Sequence, residues 1–141
     1  MVDMSPAQDQ TLGYLLHRVA ASLRAQVTTT VLAPVGLAFP QYLCMRFLSH
    51  AVGLSNADLA RALNVSPQAT NVVVRELIAR GLVERLASTP SGRSRPITLS
   101  GEGARLLEQT DLGVRQAERR VLRKVTPAQR HELKQILAAL S

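Results

Sequence analysis

The sequence predicts a mainly α-helical fold with a small β-wing: a winged helix-turn-helix core flanked by amino- and carboxyl-terminal dimerisation helices. Three observations carry that expectation. The stretch LSNADLARALNVSPQATNVVVRELIARGLV, from Leu54 to Val83, reads as two short helices joined by a turn of a few residues. Two short strand-like runs, LVERL and PITL, bracket the turn-forming segment ASTPSGRSR. Amphipathic stripes at both ends of the chain are longer than a small domain's own core can cover.

Taken in order, Ser5-Pro6-Ala7-Gln8 combines a serine cap, a first-turn proline and a glutamine three residues on, the marks of a helix start. That helix is expected to run to about Ala33, before Pro34 and Gly36. Leu12, Leu16, Val19, Leu23 and Val27 form its apolar stripe, widened by Leu15, Val31 and Leu32. Pro40 opens a second helix ending before Gly53, with Leu43, Cys44, Phe47 and Leu48 on one side. Phe39 falls at its cap position, where no side-chain acceptor is offered.

Ser55 and Asp58 then make a capping box, and Leu54 and Leu59 are spaced as a hydrophobic staple. Leu59, Ala60 and Leu63 line one face of this helix. Asn64 suits the left-handed conformation of a sharp turn. Ser66 caps the next helix and Pro67 occupies its first turn, where a missing N–H costs nothing. Thr70, Val73, Val74 and Leu77 are expected in the core, and Arg80-Gly81 ends the helix. VVVR is strand-prone by propensity, so this helix depends on tertiary packing.

Beyond the wing, Ser100 and Glu102 start a helix carrying Leu107, Val114, Ala117 and Val121 towards Lys124. Thr126-Pro127-Ala128-Gln129 is a further capping box, followed by the stripe Leu133, Ile136, Leu137 and Leu140. The expected division is therefore a dimerisation helix in 1–36, a DNA-binding lobe in 37–100 and dimerisation helices in 101–141, the last forming one structural unit with the first. Their apolar stripes are expected to meet those of a second copy of the chain.

Composition narrows the function. The 141 residues carry 17 Lys and Arg against 10 Asp and Glu, a net charge of +7, which suits a polyanionic partner. Aromatics are only 3% and Trp is absent, which argues against stacking single-stranded bases on aromatic platforms. The final basic helices also lack the bulky aromatics of an interfacial membrane binder. No run has the length of a membrane span, and MVDMSPAQDQ has neither the basic nor the apolar part of a signal peptide, so a cytoplasmic protein with no membrane partner is expected. The single cysteine, Cys44, excludes an internal disulfide and is expected to be a buried, inert thiol. His17, His50 and His131 lack ligand spacing, and no nucleophile elbow, phosphate loop or carboxylate pair is present. No enzyme, metal or cofactor is expected.

A helix-turn-helix places its second helix in the major groove. On that helix Gln68 and Asn71 suit adenine edges and Arg75 suits guanine, unless Glu76 pairs with a neighbouring arginine. Ser66 caps and can also touch a phosphate. On the wing, Arg93 has no core to serve and is expected at the minor groove or its phosphates; Arg95 either joins it or braces the wing. Arg115, Arg119, Arg120, Arg123 and Lys124 read as a solvated helix face with partners such as Glu118. His17 and Arg18 can face an anionic ligand, or simply the surface.

LGYLLHRVA, LAFPQYL, LARALNVSPQAT, ARGLVER and ITLSGEGARLLE, in that order and across nearly the whole chain, resemble the MarR family of transcriptional regulators. The resemblance implies a winged-helix homodimer that binds pseudo-palindromic double-stranded DNA, in most members as a repressor. It also implies a cleft between stem and lobe where a small phenolic or aromatic anion releases the DNA in many members. Two departures stand out. The wing motif Asp-x-Arg becomes Ser91, Gly92, Arg93, and Asn71 is followed by Val72 rather than arginine. They motivate the alternative expectation, a winged-helix protein- or ligand-binding module that has lost sequence-specific DNA binding.

Overall fold

The computed structural model describes residues 9–87 and 95–141. The Ser5-Pro6 helix start, together with Ser91, Gly92 and Arg93, lies outside the described residues. Helix α1 spans Leu12–Val27, and Thr11 Oγ1 caps it by accepting from the Tyr14 N–H at 3.3 Å. The expected continuation to Ala33 is present, but not as regular α-helix. Thr28–Leu32 widens into a π turn, Ala33–Val35 tightens into a 3-10 turn, and Gly36 stops the run at φ 71°. Branched side chains crowd this stretch, and the Thr30 hydroxyl donates back to the Gln26 carbonyl at 2.7 Å, a bond that competes with the regular ladder.

Helix α2 is Phe39–His50, one residue earlier than expected. Ala38, not Phe39, is the cap residue. It offers no side-chain oxygen, but Gln41 Oε1 reaches back to accept from the Ala38 N–H at 2.9 Å. The helix start is therefore held by half a capping box. Helices α3 (Asn56–Leu63) and α4 (Pro67–Ala79) follow as expected, separated by Asn64 at φ 56°. Ser55 Oγ accepts from the Asp58 N–H and Asp58 Oδ2 accepts from the Ser55 N–H, both at 3.0 Å. These bonds, Ser55's first and then the Arg61 guanidinium, hold the Asp58 carboxyl below the usual carboxylate range.

The core forms where α2 packs on α3 and α4: Cys44, Met45, Leu59, Val74 and Leu77 are all fully buried. Ile97 closes it from the wing, whose strands β1 (Val83–Arg85) and β2 (Ile97–Leu99) pair antiparallel with Arg85 opposite Ile97. The Ile97 N–H also donates to the Leu54 carbonyl at 2.9 Å, which pins the wing base to the entry of α3. Helix α5 (Gly101–Val121) leaves the wing from a Ser100 cap and returns to α1, where Val31 sits against Gly113. Helix α6 (Pro127–Leu140), started by the Thr126 and Gln129 box, buries none of its residues.

Burial in this apolar layer pushes the Cys44 thiol up to about 11. At neutral pH the group is a thiol rather than a thiolate, in keeping with the expectation of inertness. A disulfide reagent is expected to leave Cys44 unmodified in the native protein and to titrate it fully once the chain is denatured. Rapid modification of native protein would show that the α2 layer opens readily.

Candidate nucleic-acid interface

Helix α4 has two unlike faces. Thr70, Val74 and Leu77 point into the lobe and are buried, with Val73 half-buried beside them. Gln68, Asn71, Val72 and Arg75, spaced one turn and two turns apart, form an exposed stripe on the other side. Ser66 is exposed at the start of the helix, its Oγ accepting from the Ala69 N–H at 3.1 Å, so its capping role is present. Arg75 is exposed and lies back along the helix, its Nε donating to the Asn71 carbonyl at 3.4 Å. Among the described residues Glu76 takes no arginine as partner. It accepts from Gln41 Nε2 at 2.5 Å, because the buried Gln41 side chain spans from the first turn of α2 to α4.

Arg95 is exposed at the wing base and its Nε donates to the Leu86 carbonyl at 3.1 Å, which braces the two arms of the wing. That bond supplies the bracing expected as one of its two roles. The basic face of α5 is exposed as expected, but the acid that Arg115 pairs with is a different one. Arg115 is hydrogen-bonded to Asp111 at 2.8 Å, with Glu118 adding only a weaker field. Asp111 also lies 3.8 Å from Arg46 of α2, and the Arg115 bond in particular holds its carboxyl below the usual range.

A cleft of about 230 Å³ opens between α1, α2 and α5. Ala20, Leu23, Arg24 and Val27 of α1 line it together with Phe39 and Tyr42 of α2 and Val114 and Glu118 of α5. The chain has only two Phe and two Tyr, and one of each stands here with ring centroids 6.0 Å apart. The Arg24 guanidinium lies 5.2 Å from the Phe39 ring centroid. His17 and Arg18 are not at this cleft; both are exposed further up α1, Arg18 resting over Tyr14. The cation facing the cleft is Arg24, which the sequence reading missed. Its signal was the alignment of Leu23, Arg24 and Val27 on one helical face, readable only once α2 is known to lie alongside.

Two contacts link this region to α4. Arg80, at the end of α4, donates from its two terminal nitrogens to the carbonyls of Gly36 and Val35 at 2.8 and 3.0 Å. The Gln41–Glu76 bond is the second.

The MarR family model matches residues 35–94. The HTH-type transcriptional repressor Rv2887 of Mycobacterium tuberculosis is 47% identical over 137 residues, covering 97% of this chain and 98% of the relative. This chain belongs to the MarR family. Among solved MarR proteins, M. tuberculosis Rv2887 in complex with salicylic acid superposes with a TM-score of 0.80 at 46% identity, covering 96% of this chain and 100% of that one. Rv2887 in complex with DNA gives a TM-score of 0.77 at 43% identity, over 94% of this chain and 99% of that one. Ligand-free Escherichia coli MarR, at 22% identity and a TM-score of 0.81 over 92% of this chain and 96% of that one, shares the fold. The winged-helix regulator expectation therefore holds. Among the described residues no single helix is long and apolar enough to cross a membrane.

Proposed function

We propose that this MarR-family protein is a homodimeric repressor acting in the cytoplasm, which reads a pseudo-palindromic operator with two copies of α4. In this reading residues 37–100 are the reading lobe, while 1–36 and 101–141 together are the stem that pairs the two copies. The observation that carries it is the exposed stripe of α4, in which Gln68, Asn71 and Arg75 face outward from a helix locked by Thr70, Val74 and Leu77. Gln68 and Asn71 would take adenine edges and Arg75 a guanine, after releasing its weak bond to the Asn71 carbonyl. The Ser66 hydroxyl proton, not needed for capping, would go to a phosphate. Arg95 holds the wing base, and Arg93, outside the described residues, would go to the backbone or minor groove. The DNA complex of Rv2887 supports the same role here.

A small aromatic carboxylate would place its flat ring between Phe39, Tyr42 and the aliphatic side chains and its anion towards Arg24, with the Glu118 carboxylate also lining the cleft. Salicylic and p-aminosalicylic acid complexes of Rv2887 support that ligand class. An occupant would bear on α1 and α2 together. Arg80 and Gln41 would pass the displacement to α4, and the two reading helices would lose their common register.

A gel-shift titration with DNA from upstream of the coding region tests the reading. Tight, sequence-dependent binding that weakens steeply with added salt is expected, and salicylate should release it. Asn71→Ala is expected to relax preference at one position per half-site, at roughly 1–3 kcal/mol for a lost base contact. An unaltered preference profile would remove Asn71 from the reading set. Weak, sequence-blind association by the wild type would return the protein to the class of interaction modules.

A further inference from the structure

Val72 stands in the middle of the α4 stripe, with 47% of its surface exposed. Gln68 precedes it by one turn, Asn71 adjoins it and Arg75 follows it by nearly one turn, and these three have hydrogen-bonding groups to offer a base edge. Val72 has none. The fold gives no reason for it, because the buried side of α4 is filled by Thr70, Val74 and Leu77. Helix formation gives none either, since a β-branched residue is a poorer helix former than most polar alternatives. One turn before it, Ala69 is also exposed and carries only a methyl group, so the surface around Val72 has low relief and can approach a partner closely.

The major groove contains one apolar group, the C5 methyl of thymine. A valine pressed against any other base edge would strip water from a donor or acceptor without replacing the lost hydrogen bond. We propose that Val72 is a specificity-determining residue that reads a thymine methyl in each half-site. This rests on α4 being the reading helix. Its position in the first two turns of α4 suits it, since the amino-terminal part of a recognition helix reaches the base edges.

The test uses the full-length chain and duplexes recovered by selection from a randomised pool. In a selected duplex each thymine is replaced in turn by deoxyuridine, which keeps every hydrogen bond and removes only the methyl group. One position per half-site is expected to lose about fourfold in affinity, and about fifteenfold when both are replaced, the worth of one buried methyl at each site. Val72→Ala should bind the thymine and uracil duplexes at those positions equally well. A flat uracil scan with the wild-type protein, or a uracil penalty that persists in Val72→Ala, would overturn the assignment while leaving the DNA-reading role intact. Failure of the wild-type chain to select any duplex would instead overturn that role, and this assignment with it.

Discussion

Gly103→Ala is expected to remove about 3–4 kcal/mol of stability and to lower the melting temperature by roughly 10–15 °C. A Cβ at this position would lie 2.1 Å from the Leu82 carbonyl oxygen and 2.8 Å from Leu99 Cδ1. The first obstacle is backbone and cannot swing aside. Helix α5 cannot back away either, because its start is tied to the same strand junction by three bonds. The Ser100 N–H donates to the Leu82 carbonyl at 3.0 Å, the Ser100 hydroxyl donates to the Gly81 carbonyl at 2.6 Å, and Ser100 Oγ accepts from the Gly103 N–H at 3.0 Å. Alanine's better helix propensity returns at most about 1 kcal/mol, so the clash wins. Gly101→Ala is the internal control, since its Cβ would meet only the Arg105 side chain at 3.5 Å. Thermal unfolding followed by circular dichroism decides the matter. A Gly103→Ala melt matching the wild type would show that the junction has room the geometry denies.

The double substitution Ile136→Glu with Leu137→Glu is expected to leave each protomer folded and to abolish pairing. Helix α6 buries nothing within its own chain, and these two side chains are 51% and 41% exposed. Charges there cost the isolated chain little. Leu12, Leu16 and Val19 of α1, Leu112 of α5 and Leu140 of α6 are exposed as well, so the stem offers an extended apolar surface. Two carboxylates buried in a paired stem would each lack a partner and would be strongly unfavourable. Binding through two linked half-sites exceeds binding through one by about 10²–10⁴, and DNA affinity should fall by that factor. Sedimentation reads the first effect and a gel shift the second. A variant that still sediments as a dimer and binds DNA as before would exclude α6 from the interface.

The pairs that were legible in the sequence share one property: the residues that make them are three positions apart. Ser55 with Asp58, Ser66 with the Ala69 N–H, Ser100 with the Gly103 N–H and Thr126 with Gln129 each close a turn on themselves. The pairs that were not legible are distant in sequence. Gln41 meets Glu76 across 35 residues, and Arg80 meets Gly36 across 44. For Glu76 the sequence offered a neighbouring arginine as one alternative because it displays only adjacent charges, whereas α2 brings it an amide. The cap of α2 failed by one residue for a similar reason. Phe39 is a poor cap, but Gln41 repairs the turn from inside the helix.

By itself, then, the sequence determined the helix-turn-helix, the wing, the apolar stripes and the outward side of α4, since caps, turns and periodicity act within one or two helical turns. Only the tertiary structure decided which cation faces the cleft between α1, α2 and α5, that Arg95 reaches the Leu86 carbonyl, and how the turn at Val35 and Gly36 is fastened to the end of α4. Those outcomes depend on where α1, α2 and α5 come to rest against one another. That is settled by burying Val31, Leu32, Met45 and Leu77 in common layers, a choice no single segment can make alone.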